Sequence, residues 1–178
     1  MRKENIVTEN NKNVTSERTD LLDTLAKHRF FLRHTARDLT DEQAAQRTTV
    51  SELCVGGLIK HVAFVERIWI SFIIDGPSAM RQTRAGMTDW SERFRMVEGE
   101  TLTGLLDEYG QVARRTDEFV VALPDLNISQ PLPEAPWFEP GARWSARRVL
   151  LHIIAETAQH AGHADIIREA LDGAKSMG

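Results

Sequence analysis

At 178 residues, 42% hydrophobic and 27% charged, the chain has the size and composition of one globular domain with a substantial core. A net charge of -4 with mixed signs argues against a nucleic-acid partner, and the single cysteine, Cys54, excludes a disulfide framework or a thiol-rich metal site. The polar N-terminus has no apolar signal segment, and the longest apolar run, near residues 68–74, is too short for a bilayer, so a cytoplasmic protein without a membrane partner is expected.

Residues 1–15 are polar and asparagine-rich, which predicts a disordered tail ahead of one domain spanning residues 16–178. From Ser16 a helix is expected, with Leu21, Leu25, His28, Leu32, Thr35 and Leu39 on its buried stripe and His34 on the surface. Thr40-Asp41-Glu42-Gln43 is a capping-box pattern that starts a short connecting helix. Leu58, Val62, Val65, Trp69 and Phe72 then mark a second long helix with His61 on its flank, closed by Asp75-Gly76-Pro77. Gly56-Gly57 costs helix stability, which is tolerable where another backbone or a ligand must come close. Cys54, between Leu53 and Val55, reads as a small packed residue.

Residues 76–100 lack a sustained period, with a short helix or lid expected over residues 87–97. A third long helix runs from Leu102 to Leu123, and the proline-rich stretch after Pro124 predicts no regular structure. Ser145 caps a fourth helix that Asp172-Gly173 ends. Four long amphipathic helices without convincing strands predict an all-α four-helix bundle, an architecture that builds metal sites from side chains on facing helices.

The fourth helix carries polar groups on its apolar stripe. Val149, Ile153, Ala164, Ile167 and Leu171 recur at steps of three and four, and Glu156, His160 and His163 fall among them. Such groups are costly on a buried face unless paired or coordinated. At about 100° per residue, Glu156 and His160 lie about 40° apart, one turn along, and can grip one ion together. A third ligand must come from another helix, and His61 is the best candidate, being the histidine on the apolar flank of a long central helix. Two imidazoles and a carboxylate with an open fourth position suit catalytic zinc, and equally nickel, iron or manganese.

Residues 57–69, together with residues 144–165, resemble the DinB/YfiT-like superfamily, most closely its branch near the mycothiol-dependent maleylpyruvate isomerases and thiol S-transferases. The resemblance runs from about Thr19 to Gly173 and implies an up-down-down-up bundle holding a divalent metal, zinc or nickel foremost, on three side chains. Many members carry a His-x-x-x-His pair followed by Arg-Gly-Gln. Here Glu156 takes the place of the first histidine, His160 the second, and His163 that of the glutamine. The resemblance therefore implies His61, Glu156 and His160 as ligands, with His163 beside the metal or substrate and, in place of Glu156, the alternative ligand. The isomerases carry a further C-terminal domain, whereas this sequence stops just after its fourth helix, so a stand-alone thiol S-transferase is the closer analogy.

The expected activity is transfer of a mycothiol-type thiol to a small electrophile, with His163 orienting the metal site or shuttling a proton and Glu66 as a lesser neighbour. A metal-dependent hydrolase and a non-catalytic metal-binding bundle are the alternatives. Arg147, Arg148 and Arg168 are expected on solvated helix surface, and Trp90, Trp137 and Trp144 near the mouth of a pocket. His152 is expected to stand aside from the chemistry, and the Trp69 face or the third helix offers a surface for a homodimer.

Overall fold

The computed structural model describes residues 3–80 and 90–177, with side chains from Glu17 onward except that of Trp90. The described residues include α1 (Lys3–Thr35), α2 (Asp41–Ala45), α3 (Val55–Asp75), the 3-10 turn Trp90–Phe94, α4 (Leu102–Ala122) and α5 (Ala146–Asp172), and residues 77–80, just after α3, are also helical. The termini follow local chemistry. Thr40 and Gln43 form the expected reciprocal capping box. Thr101 and Ser145 accept from Gly104 N–H and Arg148 N–H at the starts of α4 and α5. Gly173 closes α5 in the left-handed conformation, with φ 81°. Cys54 is buried, as expected, and its Sγ also accepts from Gly57 N–H at the start of α3.

Two expectations are corrected. The first helix begins at Lys3 rather than Ser16, because residues 3–15 contain no proline or glycine to stop it. The proline-rich stretch also contributes a small ladder, in which β1 (Ser129–Pro131) pairs antiparallel with β2 (Arg143–Ser145). Pro131 sits at the end of its strand, where a missing N–H is tolerated. Ala146 N–H donates to Ile128 O and tethers the ladder to the start of α5. Within the expected short helix at 87–97, residues 90–94 form the 3-10 turn, whereas residues 81–89 lie outside the described residues.

The core fixes the helix directions. One apolar cluster joins Leu25 of α1, Trp69, Phe72 and Ile73 of α3, Val120 of α4, and Val149 and Ile153 of α5. A second joins Leu32 and Ala36, Val55 to Ala63, Leu102 to Tyr109, and Ala161 to Ile167. The chain thus passes from the first cluster to the second along α1 and α5, and from the second to the first along α3 and α4. That is the up-down-down-up order. Contacts between helices agree: Arg18 donates to Val121 O and Arg33 to Leu106 O, antiparallel, while Arg147 pairs with Glu17 and Thr35 with Asp165, parallel.

Between the clusters lies a layer of buried polar groups drawn from all four long helices. Arg29 grips Glu66 with two hydrogen bonds of 3.1 and 2.5 Å and donates to Asp117 at 2.8 Å. Glu66 is wholly buried, and both of its oxygens are taken by Arg29, so it serves the bundle rather than a metal. Arg29, not His28, occupies the buried position on α1, and half-buried His28 packs near Phe31. Arg168 is also buried rather than solvated, its Nη1 donating to the carbonyls of Thr35, the last residue of α1, and of Arg37 just past it. Among the described residues, no helix is long and apolar enough to cross a membrane.

Candidate metal centre and pocket

Antiparallel packing of α3 on α5 brings His61 opposite Glu156 and His160, and the donor atoms of the three lie within 4.8 Å of one another. Glu156 Oε2 is 3.6 Å from His160 Nε2 and 3.9 Å from His61 Nε2. These distances exceed hydrogen-bond length, so the three groups converge without saturating one another. His61 and His160 are buried, and His61 Nδ1 has no hydrogen-bond partner among the described residues. Two buried imidazoles aimed at one half-buried carboxylate oxygen form a donor set that could hold a divalent ion.

The electrostatics suit a cation. The imidazoles of His160 and then His61 hold the Glu156 carboxyl well below the usual carboxylate range, outweighing its partial burial. Burial pushes the His61 pKa down, against the opposing pull of Glu156, and so favours the neutral ring that a metal ligand requires.

Gly57 explains how the site is covered. A Cβ there would lie 2.0 Å from the Phe94 carbonyl oxygen, so the backbone at 94–95 runs directly over this glycine. The close approach seats the Phe94 ring on His61, with centroids 4.1 Å apart and planes 25° from parallel. Phe94 is a site residue that no stripe or spacing singled out. The glycine pair marked the crossing point without identifying what crossed it.

His163 stands on the far side of His160, the two Nδ1 atoms 3.3 Å apart, and does not line the adjoining pocket. His152, expected to stand aside from the chemistry, is not among the three converging donors but is close by. It lines that pocket, its Nε2 lies 3.9 Å from Glu156 Oε1, and burial pushes its pKa down. The pocket opens beside His61 and Glu156, and its walls include Phe64, Ile68, Trp69, Met80, Trp137 and Phe138. Trp137 therefore stands where it was expected, while Trp144 lies behind the wall, stacked on Trp69 at 4.8 Å. Arg147 is engaged by Glu17 and Asn127, and Arg148 lies over Trp144, away from the metal-ligand set.

A family model described as Mycothiol-S-transferase matches residues 20–173. Among solved structures, the chain resembles a conserved protein from Enterococcus faecalis with a TM-score of 0.67 and 16% identity, over 88% of this chain and 97% of the other. That likeness supports the fold. No curated protein matches the chain.

Proposed function

Because the chain belongs to the Mycothiol-S-transferase family, we propose that it joins a mycothiol-type thiol to a small electrophile at a divalent metal held by His61, Glu156 and His160. The observation that carries this reading is the convergence of two buried imidazoles and a carboxylate beside a pocket large enough to be walled by several aromatic side chains. A divalent cation, zinc or nickel foremost, supplies the positive charge that favours thiolate over thiol. His61 and His160 contribute neutral donors, and Glu156 contributes the balancing negative charge.

His163 acts through His160. With His160 Nε2 turned toward Glu156, its Nδ1–H donates to His163 Nδ1, fixing the tautomer that leaves Nε2 free to bind metal. His163 is thus a positioning residue. Phe94 holds the His61 ring from its exposed face and keeps water from it. In the transfer itself, the thiol proton passes to solvent and the sulfur pair forms the new bond to carbon. The displaced group leaves with the electron pair of the bond that breaks.

The test is metal analysis of the purified protein beside Glu156→Ala and His160→Ala, coupled to conjugation assays with mycothiol. Wild type should carry close to one ion per chain and form thioether, while both variants lose metal and activity. Equal, negligible metal in all three would sink the proposed centre. A metal-loaded wild type that hydrolyses esters or amides, yet forms no thioether, would make it a hydrolase.

A further inference from the structure

We infer that the pocket beside the proposed centre is the subsite of the electrophile, and that it selects flat, apolar, conjugated molecules such as activated aryl halides. The inference deepens the S-transferase reading and rests on it for the word electrophile.

The wall is a run of rings in mutual contact. Trp137 meets Phe138 at 6.2 Å, Phe138 meets Trp144 at 5.8 Å, and Trp144 stacks on Trp69 at 4.8 Å. Trp69 meets His152 edge-on at 4.8 Å, and His152 reaches to 3.9 Å from Glu156. Trp69, Trp137, Phe138 and His152 face the pocket directly, and Trp144 backs them. Phe64, Ile68 and Met80 complete the apolar lining. The polar lining is His61, Glu156, His152 and Arg93, whose guanidinium lies over the Phe64 ring at 3.4 Å, while the Trp69–Trp137–Phe138 side carries no charged group among the described residues.

This segregation decides between the two substrates. The amide and hydroxyl groups of a low-molecular-weight thiol would lose water against the ring wall and find few partners there, a cost of roughly 1–3 kcal/mol for each group left unpaired. A flat apolar molecule loses little and gains aromatic contact with the rings. Its reactive carbon then lies at the polar end, where thiolate sulfur can attack. For an aryl chloride, the S–C bond forms, the C–Cl pair leaves as chloride, and the thiol proton goes to solvent.

The experiment uses 2,4-dinitroaniline, an unreactive flat probe that quenches tryptophan fluorescence, titrated into the full chain without thiol. Saturable quenching is expected in the wild type. Ile68→Asn, which sets a polar group in the wall at a half-buried position, should weaken binding by about tenfold or more, a difference of about 1.4 kcal/mol. Trp137→Ala, at a residue 66% exposed, should also weaken it while leaving the melting temperature nearly unchanged. In conjugation assays both variants should raise KM for 1-chloro-2,4-dinitrobenzene by a much larger factor than KM for iodoacetamide, which is small and polar. Absence of saturable quenching, or equal affinity in folded variants, overturns the pocket assignment. Tight probe binding by a metal-loaded protein that conjugates nothing leaves the pocket standing and overturns the S-transferase reading.

Discussion

Glu156 divides its two oxygens between different neighbours: Oε2 faces His61 and His160, and Oε1 faces His152. Glu156→Gln keeps the shape and removes the charge that balances a divalent ion. Metal affinity should then fall by more than the roughly 10–100-fold typical of losing a neighbour that merely supports a ligand. His163→Ala should give that smaller loss, measured by competition with a chromophoric chelator. The melting temperature of the chelator-treated protein should be unchanged, and His163→Asn should restore part of the affinity. Tyr109 offers a separate check on burial. Its hydroxyl is pushed well above the usual tyrosine range, chiefly by burial and then by the charge of Glu66. An unfolded tyrosine ionises near pH 10, so above that pH the unfolded chain holds fewer protons than the folded one. Its contribution is fully present below about pH 10 and is lost progressively as pH rises above that toward the raised folded-state value. Tyr109→Phe should flatten this alkaline decline, as read from urea midpoints at pH 8 and pH 11.

At the scale of single elements, α5 was the most legible part of the chain. Glu156 and His160 broke an otherwise apolar stripe, and the caps at Ser145 and Gly173 bounded it. Burial of His61 was also readable, because its flank of α3 is apolar on both sides. The 3-10 turn Trp90–Phe94 was not, since five residues contain too little periodicity to mark a face, and its contact with His61 depends on the missing side chain at Gly57. Gly57→Ala tests that dependence. Alanine would gain about 1 kcal/mol of helix propensity. The carbonyl 2.0 Å from the new Cβ cannot remain in place, and crowding of a packed backbone costs about 1–3 kcal/mol. The crowding should win. The variant should melt lower and bind metal more weakly, because Phe94 is pushed from the His61 ring. An unchanged melting temperature with wild-type metal affinity would show that the turn is not held by this crossing.

The whole molecule shows why patterning revealed the bundle but not its polar layer. The apolar stripes established that four helices share a core, since periodicity reports which side of each helix is buried. Arg29 was hidden by the same rule: an arginine on a helix is read as surface unless its partner is known, and Glu66 lies on another helix, 37 positions away. Removing one member of this pair strands the other in a dry setting. Arg29→Ala or Glu66→Ala should each cost about 3–5 kcal/mol in denaturant unfolding. The double variant Arg29→Met/Glu66→Leu should recover most of that loss, because neither charge then remains buried alone. The small β1–β2 ladder is a further feature of whole-chain origin. Its residues have poor strand character, and they pair because α5 must begin where Ile128 and Leu126 can receive its first N–H groups.

The parallel course of α3 and α4 has a consequence for how substrate preference can change. A helix of 21 residues is about 31 Å long, so the chain must climb that distance before α4 can start. Extended chain covers it in about ten residues. The connection has residues 76–101 available, 26 in all, which leaves more than half of its length in surplus. That surplus contributes Met80, Arg93 and Phe94 to the pocket and the covering of His61, while the proposed ligands sit on rigid helices. Each doubling of such a connection costs only about 0.6 kcal/mol. Insertions, deletions and substitutions there can reshape what the pocket admits while the metal-ligand geometry stays fixed. In a library randomised over this connection, with buried Met80 and Arg93, core-packed Met96 and the 94–95 crossing over Gly57 kept, bundle stability should therefore vary little and the choice of electrophile widely.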